Sequence, residues 1–441
     1  ADSSGTEFWL AFEANGAPGV LSLQILGESG TTGAVDIAGL GFSSPFSIPA
    51  VGLTTVVLPA AAMLSASDGV EDRGVHVTAS KPVVLYGLDI HAESSDSFLA
   101  LPVSALGAAY DTVSYTPDVF FNSQFAVVAT TGDTDVTVTP TAAIGSHPPG
   151  LPFAVALDTG QVYQAQSSGD LTGTKVVANH PIAVFSGNPW ANVPIGIGFA
   201  DHLAEQLLPI ASWGMDVFVI PSAPRTSSEP ERFRIQANLP NTSVTMSPGG
   251  EIMLGAGSSF ESSFIAPVRF QSDKPVAVSQ FATGGSSGDG TGDPFFYVTL
   301  AVERFAHCYL VATADDGTIF PDNFVNLVVP SGAVDQVSLD GTEIPAGSFT
   351  AIGATGFFYQ QLAVAPGRHR LAGPLAFGAS IYGFGSYVSY ASPAGGASPP
   401  FADGLEECNL PEPSSFGLTI TAVAAMAALA NRRRLPQHTR T

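Results

Sequence analysis

Apolar and polar positions alternate along much of this chain with a period of two, the spacing that sends successive side chains to opposite faces of a strand. In the run from Thr134 to Thr139, Val136 and Val138 fall on one face and Thr137 and Thr139 on the other. In four other segments a polar residue or glycine and a proline lead into a run that is apolar on both faces: Lys81-Pro82-Val83-Val84-Leu85, His180-Pro181-Ile182-Ala183-Val184, Lys274-Pro275-Val276-Ala277-Val278 and Gly373-Pro374-Leu375-Ala376-Phe377. They recur about every hundred residues, the signature of an internal repeat. Proline has no N–H for a ladder, so each is expected to open a strand. Segments 124–139, 233–246 and 324–339 precede the last three runs, and each reads strand, polar turn, strand, predicting hairpins. The first repeat has a weaker counterpart from Phe8 to Phe12 and from Leu21 to Ile25. Linking segments that start at Asp96, Asp201 and Asp293 also resemble one another.

This pattern predicts an all-β protein of four tandem β-sandwich-like repeats at residues 1–90, 91–189, 190–286 and 287–391. A closed propeller-like ring is the alternative. A polar linker at 392–410 and a tail at 411–441 follow. Composition agrees: 47 glycines, 34 prolines and only 12% charged residues disfavour long helices.

The tail is different. Pro411-Glu412-Pro413 precedes an uncharged apolar run from Phe416 to Ala430, and Arg432, Arg433 and Arg434 follow. As a helix the run is marginally long enough to cross a bilayer, and the arginines would stay on the cytoplasmic side. One C-terminal transmembrane helix is therefore expected, with the β units outside the cytoplasm. The order of parts resembles the PEP-CTERM sorting signal of Gram-negative bacteria, which implies an exosortase-type processing enzyme as partner and removal of the tail. The chain opens at Ala1 with no apolar leader, as expected of an exported protein in its mature form.

The net charge is −23, which excludes nucleic acid and leaves Ca²⁺, basic proteins or neutral glycans as contacts. Cys308 and Cys408 are the only cysteines, and either one long-range bridge or a buried thiol is open to them.

The ectodomain resembles the N-terminal domain family of the IgG Fc-binding protein and its bacterial relatives. The resemblance rests on Gly5-Thr6-Glu7-Phe8-Trp9, Phe98-Leu99-Ala100-Leu101-Pro102, Gln124-Phe125-Ala126-Val127-Val128, Asp201-His202-Leu203-Ala204-Glu205 and Tyr382-Gly383-Phe384-Gly385. It implies a secreted, non-enzymatic binding or matrix module. In animal members cysteines stand near the positions of Trp190 and Ala200; this chain has neither, so the resemblance implies no disulfide in that loop.

Candidate chemistry is sparse. Gly284-Gly285-Ser286-Ser287-Gly288 fits the spacing of a nucleophile elbow, yet no helix is predicted after it. Gly292-Asp293-Pro294-Phe295 lacks the histidine of a self-cleaving Gly-Asp-Pro-His motif. Asp201 and His202, with Trp190 in its Gly/Pro-rich loop, form a candidate ligand loop, and Trp213, Tyr382, Tyr387 and Tyr390 are further aromatic candidates for stacking. Asp289, Asp293, Asp315 and Asp316 are candidate Ca²⁺ ligands in short acidic loops, although no EF-hand is present. No other cofactor is expected. The leading expectation is a secreted or cell-surface binding, adhesion or extracellular-matrix protein with a protein or glycan ligand. A structural subunit of a surface polymer or filament and an extracellular hydrolase are the alternatives.

Overall fold

The computed structural model describes residues 3–118, 121–225, 230–285 and 289–396. The sorting motif, the apolar run, the arginines and Cys408 lie outside these residues. Among the described residues no helix is long and apolar enough to cross a membrane, and their helical pieces are short 3-10 turns.

Every unit is a single sheet organised by one long spine strand: Val75–Ile90, Lys175–Ala191, Val268–Phe281 and Arg368–Gly385. The sheets hold seven, eight, seven and eight strands. This corrects both expected architectures, because each unit is one curled, nearly closed sheet and neither a pair of stacked sheets nor a propeller blade.

The cause lies at the prolines. Pro82, Pro181, Pro275 and Pro374 do not start strands; each sits within a spine strand, where the ladder steps. The strand before the bend skips from Gly5 to Glu7 while its spine partner moves from Val83 to Thr78. The same two-for-five step recurs at Val177/Ile182 against Ala109/Gly107, at Gln271/Val276 against Asp216/Gly214, and at Ala372/Phe377 against Cys308/Ala306. A bulge of this kind bends and twists a strand, and a proline costs no ladder bond there.

The bend also explains why the expected hairpins are absent. Ser123–Ala129 pairs with the second half of its spine, from Ile182 to Gly187, whereas Thr134–Thr139 pairs with the first half, from Lys175 to Ala178. The two strands are consecutive partners along one bent spine, not partners of each other. Segments Glu231–Ala237 and Thr242–Ser247 repeat the arrangement, as do Asp322–Pro330 and Ser338–Leu339. Val136 and Val138 are buried and Thr137 is exposed, so the alternation does orient the strand as read.

A short inner strand closes each unit against the second half of the spine: Asp96–Ala100, Asp201–Gln206, Phe296–Thr299 and Val388–Pro393; units 1 to 4 denote each spine with the strands paired to it and the loops between them, so residues 91–100 go with unit 1 and 190–206 with unit 2. These four strands meet in the middle of the protein; the first touches the second and fourth, and the third does the same. Hydrophobic cores accordingly bridge neighbouring units. Phe185 and Ala204 of unit 2 join Phe98 of unit 1, Phe281 and Phe296 of unit 3 join Val184 of unit 2, Tyr382 of unit 4 joins Phe295 of unit 3, and Tyr309 of unit 4 joins Leu88 of unit 1. Glycine makes the close approach feasible: a Cβ on Gly187 would stand 1.7 Å from the Leu203 carbonyl oxygen, and one on Gly87 2.2 Å from the Phe98 ring.

Candidate functional site

The heads of the inner strands bring acidic side chains together. Asp96, Asp201 and Asp293 are 1%, 0% and 1% exposed, a degree of burial that an ionised carboxylate tolerates only with hydrogen bonds. Asp201 Oδ1 accepts from Ser95 N of unit 1 at 2.6 Å and from His202 N at 2.8 Å, and its Oδ2 accepts from Ser389 N of unit 4 at 3.3 Å. Asp96 accepts from Ser97 N at 2.8 Å, from Ala204 N of unit 2 at 3.0 Å and from Ala391 N of unit 4 at 3.5 Å. Asp293 accepts from Gly285 N at 3.0 Å, while Ser389 Oγ donates to the Asp293 carbonyl and accepts from Asp293 N. The Asp96 and Asp201 carboxyls tie units together, and Asp293 does so through its backbone bonds to Ser389.

Burial dominates their protonation. It pushes Asp201 well up, with Asp293 and Asp96 adding to the effect and the Ser95 and His202 amides opposing it. Burial also raises Asp96 well above its ordinary value, against the Ala204 amide, and pushes Asp293 up to about 8 against the Gly285 amide and Arg225. His202 is 2% exposed, and burial pushes its imidazole down. Its Nδ1 lies 3.0 Å from the Asn188 carbonyl oxygen, and its ring faces Glu13, Asp89 and Asp96 around a void of about 10 Å³. That volume holds about one water. A nucleophile and a substrate pocket are not assembled there.

Above this layer a cleft of about 520 Å³ opens, lined by Glu93, Phe121, Trp190, Asn192, Phe199, Ala200, Asp293 and Tyr387. Its aromatic rings form two angled pairs. Phe121 and Trp190 are T-shaped with centroids 5.3 Å apart, and Phe199 and Tyr387 are tilted at 4.5 Å. Phe199 is 50% and Tyr387 39% exposed. Both have left-handed backbones, with φ of 64° and 55°, a conformation that costs a bulky residue about 1 kcal/mol or more. Two strained aromatic residues from units 2 and 4 thus present touching rings to solvent. The opposite ends of the inner strands border a smaller cavity of about 40 Å³, lined largely by Leu99, Leu101, Leu208, Val298 and Leu300, with Glu205 at its wall.

The predicted ligand loop is divided by this geometry. Trp190 lines the cleft and its Nε1 donates to Ser94 Oγ at 2.7 Å, whereas Asp201 and His202 are buried behind it. Tyr387 stands in the cleft, while Trp213, Tyr382 and Tyr390 are in the core. The candidate Ca²⁺ ligands are scattered. Asp315 accepts from the Gly317 and Ile319 amides of its own loop, Asp316 from Thr318, and Asp289 from Thr291 N at 3.1 Å. No group of three or more His, Cys, Asp or Glu side chains able to hold a metal ion occurs among the described residues. Sequence reasoning missed Glu93, Phe121, Asn192 and Phe199. A phenylalanine next to the Gly-rich 196–198 stretch was the available signal, but its positive φ is a tertiary property.

The sequence profile described as IgGFc binding protein matches residues 96–383, which is more than half of the chain. The chain belongs to the IgGFc-binding protein family. The IgGFc-binding protein of Homo sapiens is 26% identical to it over 335 residues, covering 73% of this chain and 6% of the human protein. This member of the family therefore spans a small fraction of that relative's length. The matched region includes Trp190, Phe199, Asp96, Asp201 and Asp293, and it ends before Tyr387.

Proposed function

We propose that this chain is an extracellular, non-catalytic binding module of the IgGFc-binding family and that its ligand is a protein or glycan engaged at the aromatic cleft. The observation that carries the reading is the exposed Phe199–Tyr387 pair on strained backbones beside Trp190. Strain of this kind persists where the surroundings hold it in place, and such positions cluster at ligand sites. Family membership supports binding over catalysis, and the single-water void at His202 supports the same choice.

The test is a panel of purified glycans, extracellular-matrix proteins and the Fc fragment of immunoglobulin G, probed with the full chain and with Phe199→Ala. Binding that the substitution removes, and that Met253→Ser on the outer surface leaves intact, supports the proposal. An empty panel combined with concentration-dependent self-assembly would replace it with a structural-subunit role.

The tail carries a separate part of the proposal: Pro411, Glu412, Pro413 and the arginines Arg432, Arg433 and Arg434 direct bacterial cell-surface sorting by an exosortase-type enzyme. Intact-mass measurement of surface-exposed protein should show the arginines gone, and their retention would overturn it.

A further inference from the structure

Resting on the reading of the cleft as a binding site, we infer that its occupant is an organic cation, the ammonium or guanidinium of a lysine or arginine side chain presented by a protein partner. Three observations support this. The walls are aromatic faces set at angles, with 86° between Phe121 and Trp190 and 46° between Phe199 and Tyr387. Angled rings surround a compact cation, whereas a flat sugar ring is better served by one open platform. The second observation is the balance of polar groups. No lysine or arginine is among the lining residues; the Glu93 carboxylate supplies the charge at the rim, and the Asp293 carboxyl, which burial keeps protonated below about pH 8, supplies an acceptor oxygen and no charge. Two of the side-chain donors there are engaged within the protein: Trp190 gives its N–H to Ser94, and the Asn192 amide nitrogen donates to Asp118 Oδ2 at 2.6 Å. An anionic ligand would find no positive charge among the lining side chains. The third observation is long-range, since a chain of net charge −23 draws cations toward a concave site.

Glu93 is exposed at the rim and Asp293 is buried at the floor. A cation entering between them exchanges water for π faces and carboxyl oxygens, and the fit of a single side chain uses only part of the 520 Å³. The remainder suits the partner backbone on either side of the anchoring residue.

The probe is a capped pentapeptide, Gly-Gly-Lys-Gly-Gly, titrated into the full chain while tryptophan fluorescence is followed. Trp190 is half-buried in the cleft, whereas Trp9 and Trp213 are 8% and 7% exposed in the core, so quenching reports the cleft. The same peptide with acetyl-lysine removes the charge and keeps the length. The expected result is saturable quenching that is roughly five-fold weaker for the acetylated peptide, from the size of a partly desolvated cation–π contact. It should be lost in Phe199→Ala, weakened in Glu93→Gln, and reduced by salt. Tyr387→Asn, which suits the left-handed backbone, serves as a second cleft variant should Phe199→Ala fail to fold.

Equal affinity for both peptides would overturn the inference in favour of an apolar anchor. Binding of chitotetraose with no response to the lysine peptide would also overturn it, while leaving the cleft as a binding site. If neither probe binds and a ligand from the purified panel is insensitive to both cleft variants, the cleft reading itself falls.

Discussion

Replacing Asp201 with alanine isolates the bonds that join three units through one side chain. The carboxyl accepts backbone N–H groups from Ser95 of unit 1, His202 of its own unit and Ser389 of unit 4. The residue is fully buried, so water cannot replace it without a cavity large enough to hold one. Each orphaned buried donor costs about 1–3 kcal/mol. The 3.3 Å bond to Ser389 is the weakest of the three, and removing a crowded acid returns some energy because Asp96 and Asp293 press against it. A net loss of about 3 kcal/mol is expected. Asp201→Asn should cost less, because an amide oxygen keeps the Ser95 and His202 bonds and only the Ser389 N–H meets another donor. Asp316→Ala is the surface control, since that side chain is exposed and bonded only within its own turn. Urea unfolding followed by far-ultraviolet circular dichroism gives the order wild type and Asp316→Ala, then Asp201→Asn, then Asp201→Ala. An Asp201→Ala midpoint indistinguishable from wild type would refute the idea that this carboxyl staples the units.

Other outcomes follow from the same geometry. Burial raises the folded-state values of Asp96, Asp201, Glu205 and Glu13, and sets Asp293 at about 8. For such acids the stabilising proton is fully present below the unfolded carboxylate range and lost as pH rises through the folded values. Thermal midpoints should therefore fall from pH 5 to pH 9, and Asp293→Asn should flatten the last part of that fall; a midpoint rising across this window contradicts the assignment. Gly187→Ala drives a Cβ to 1.7 Å from a backbone oxygen, so a loss of about 3 kcal/mol or more, or failure to fold, is expected by urea titration. Arg234 is 5% exposed; it bonds Glu261 of its own sheet at 2.8 Å, and Asp170 at 3.0 Å and Thr172 Oγ1 at 2.6 Å across the unit 2–3 boundary. Both carboxylates are partly solvated, so Arg234→Ala should cost about 2–4 kcal/mol, at the lower side of a broken buried pair, measured by the same titration.

How legible this fold was in the sequence depends on the range of the signal. Alternation at Val136 and Val138 reports burial face locally, so the all-β class and the orientation of that strand could be read. The hundred-residue echo located all four spines. Strand partners were not readable, because a polar turn such as Gly132-Asp133 reads the same whether the chain folds back on itself or steps across a bent spine. Proline was misjudged for a related reason: lacking a ladder donor suits a bulge as well as a strand start, and the two-for-five register step exists only between strands.

The same limit divided the candidate site. Asp201 and His202 looked like ligand groups because a carboxylate beside an imidazole suits acid/base or metal chemistry, yet the same pair also fits a strand head sinking into a junction. Repetition was the sequence's clue to the distinction, since an aspartate that opens equivalent segments at 96, 201 and 293 does a job common to the units. Joining units is such a job, and all three aspartates are buried. Residues that serve only to contact a ligand have no reason to repeat, and Asp293 belongs to the frame while also flooring the cleft. Trp190 and Phe199 of unit 2 and Tyr387 of unit 4 are each particular to their unit, and they line the cleft. In a protein of echoed units, what recurs at equivalent positions marks the frame, and what departs from the echo beside it marks the place to look for binding.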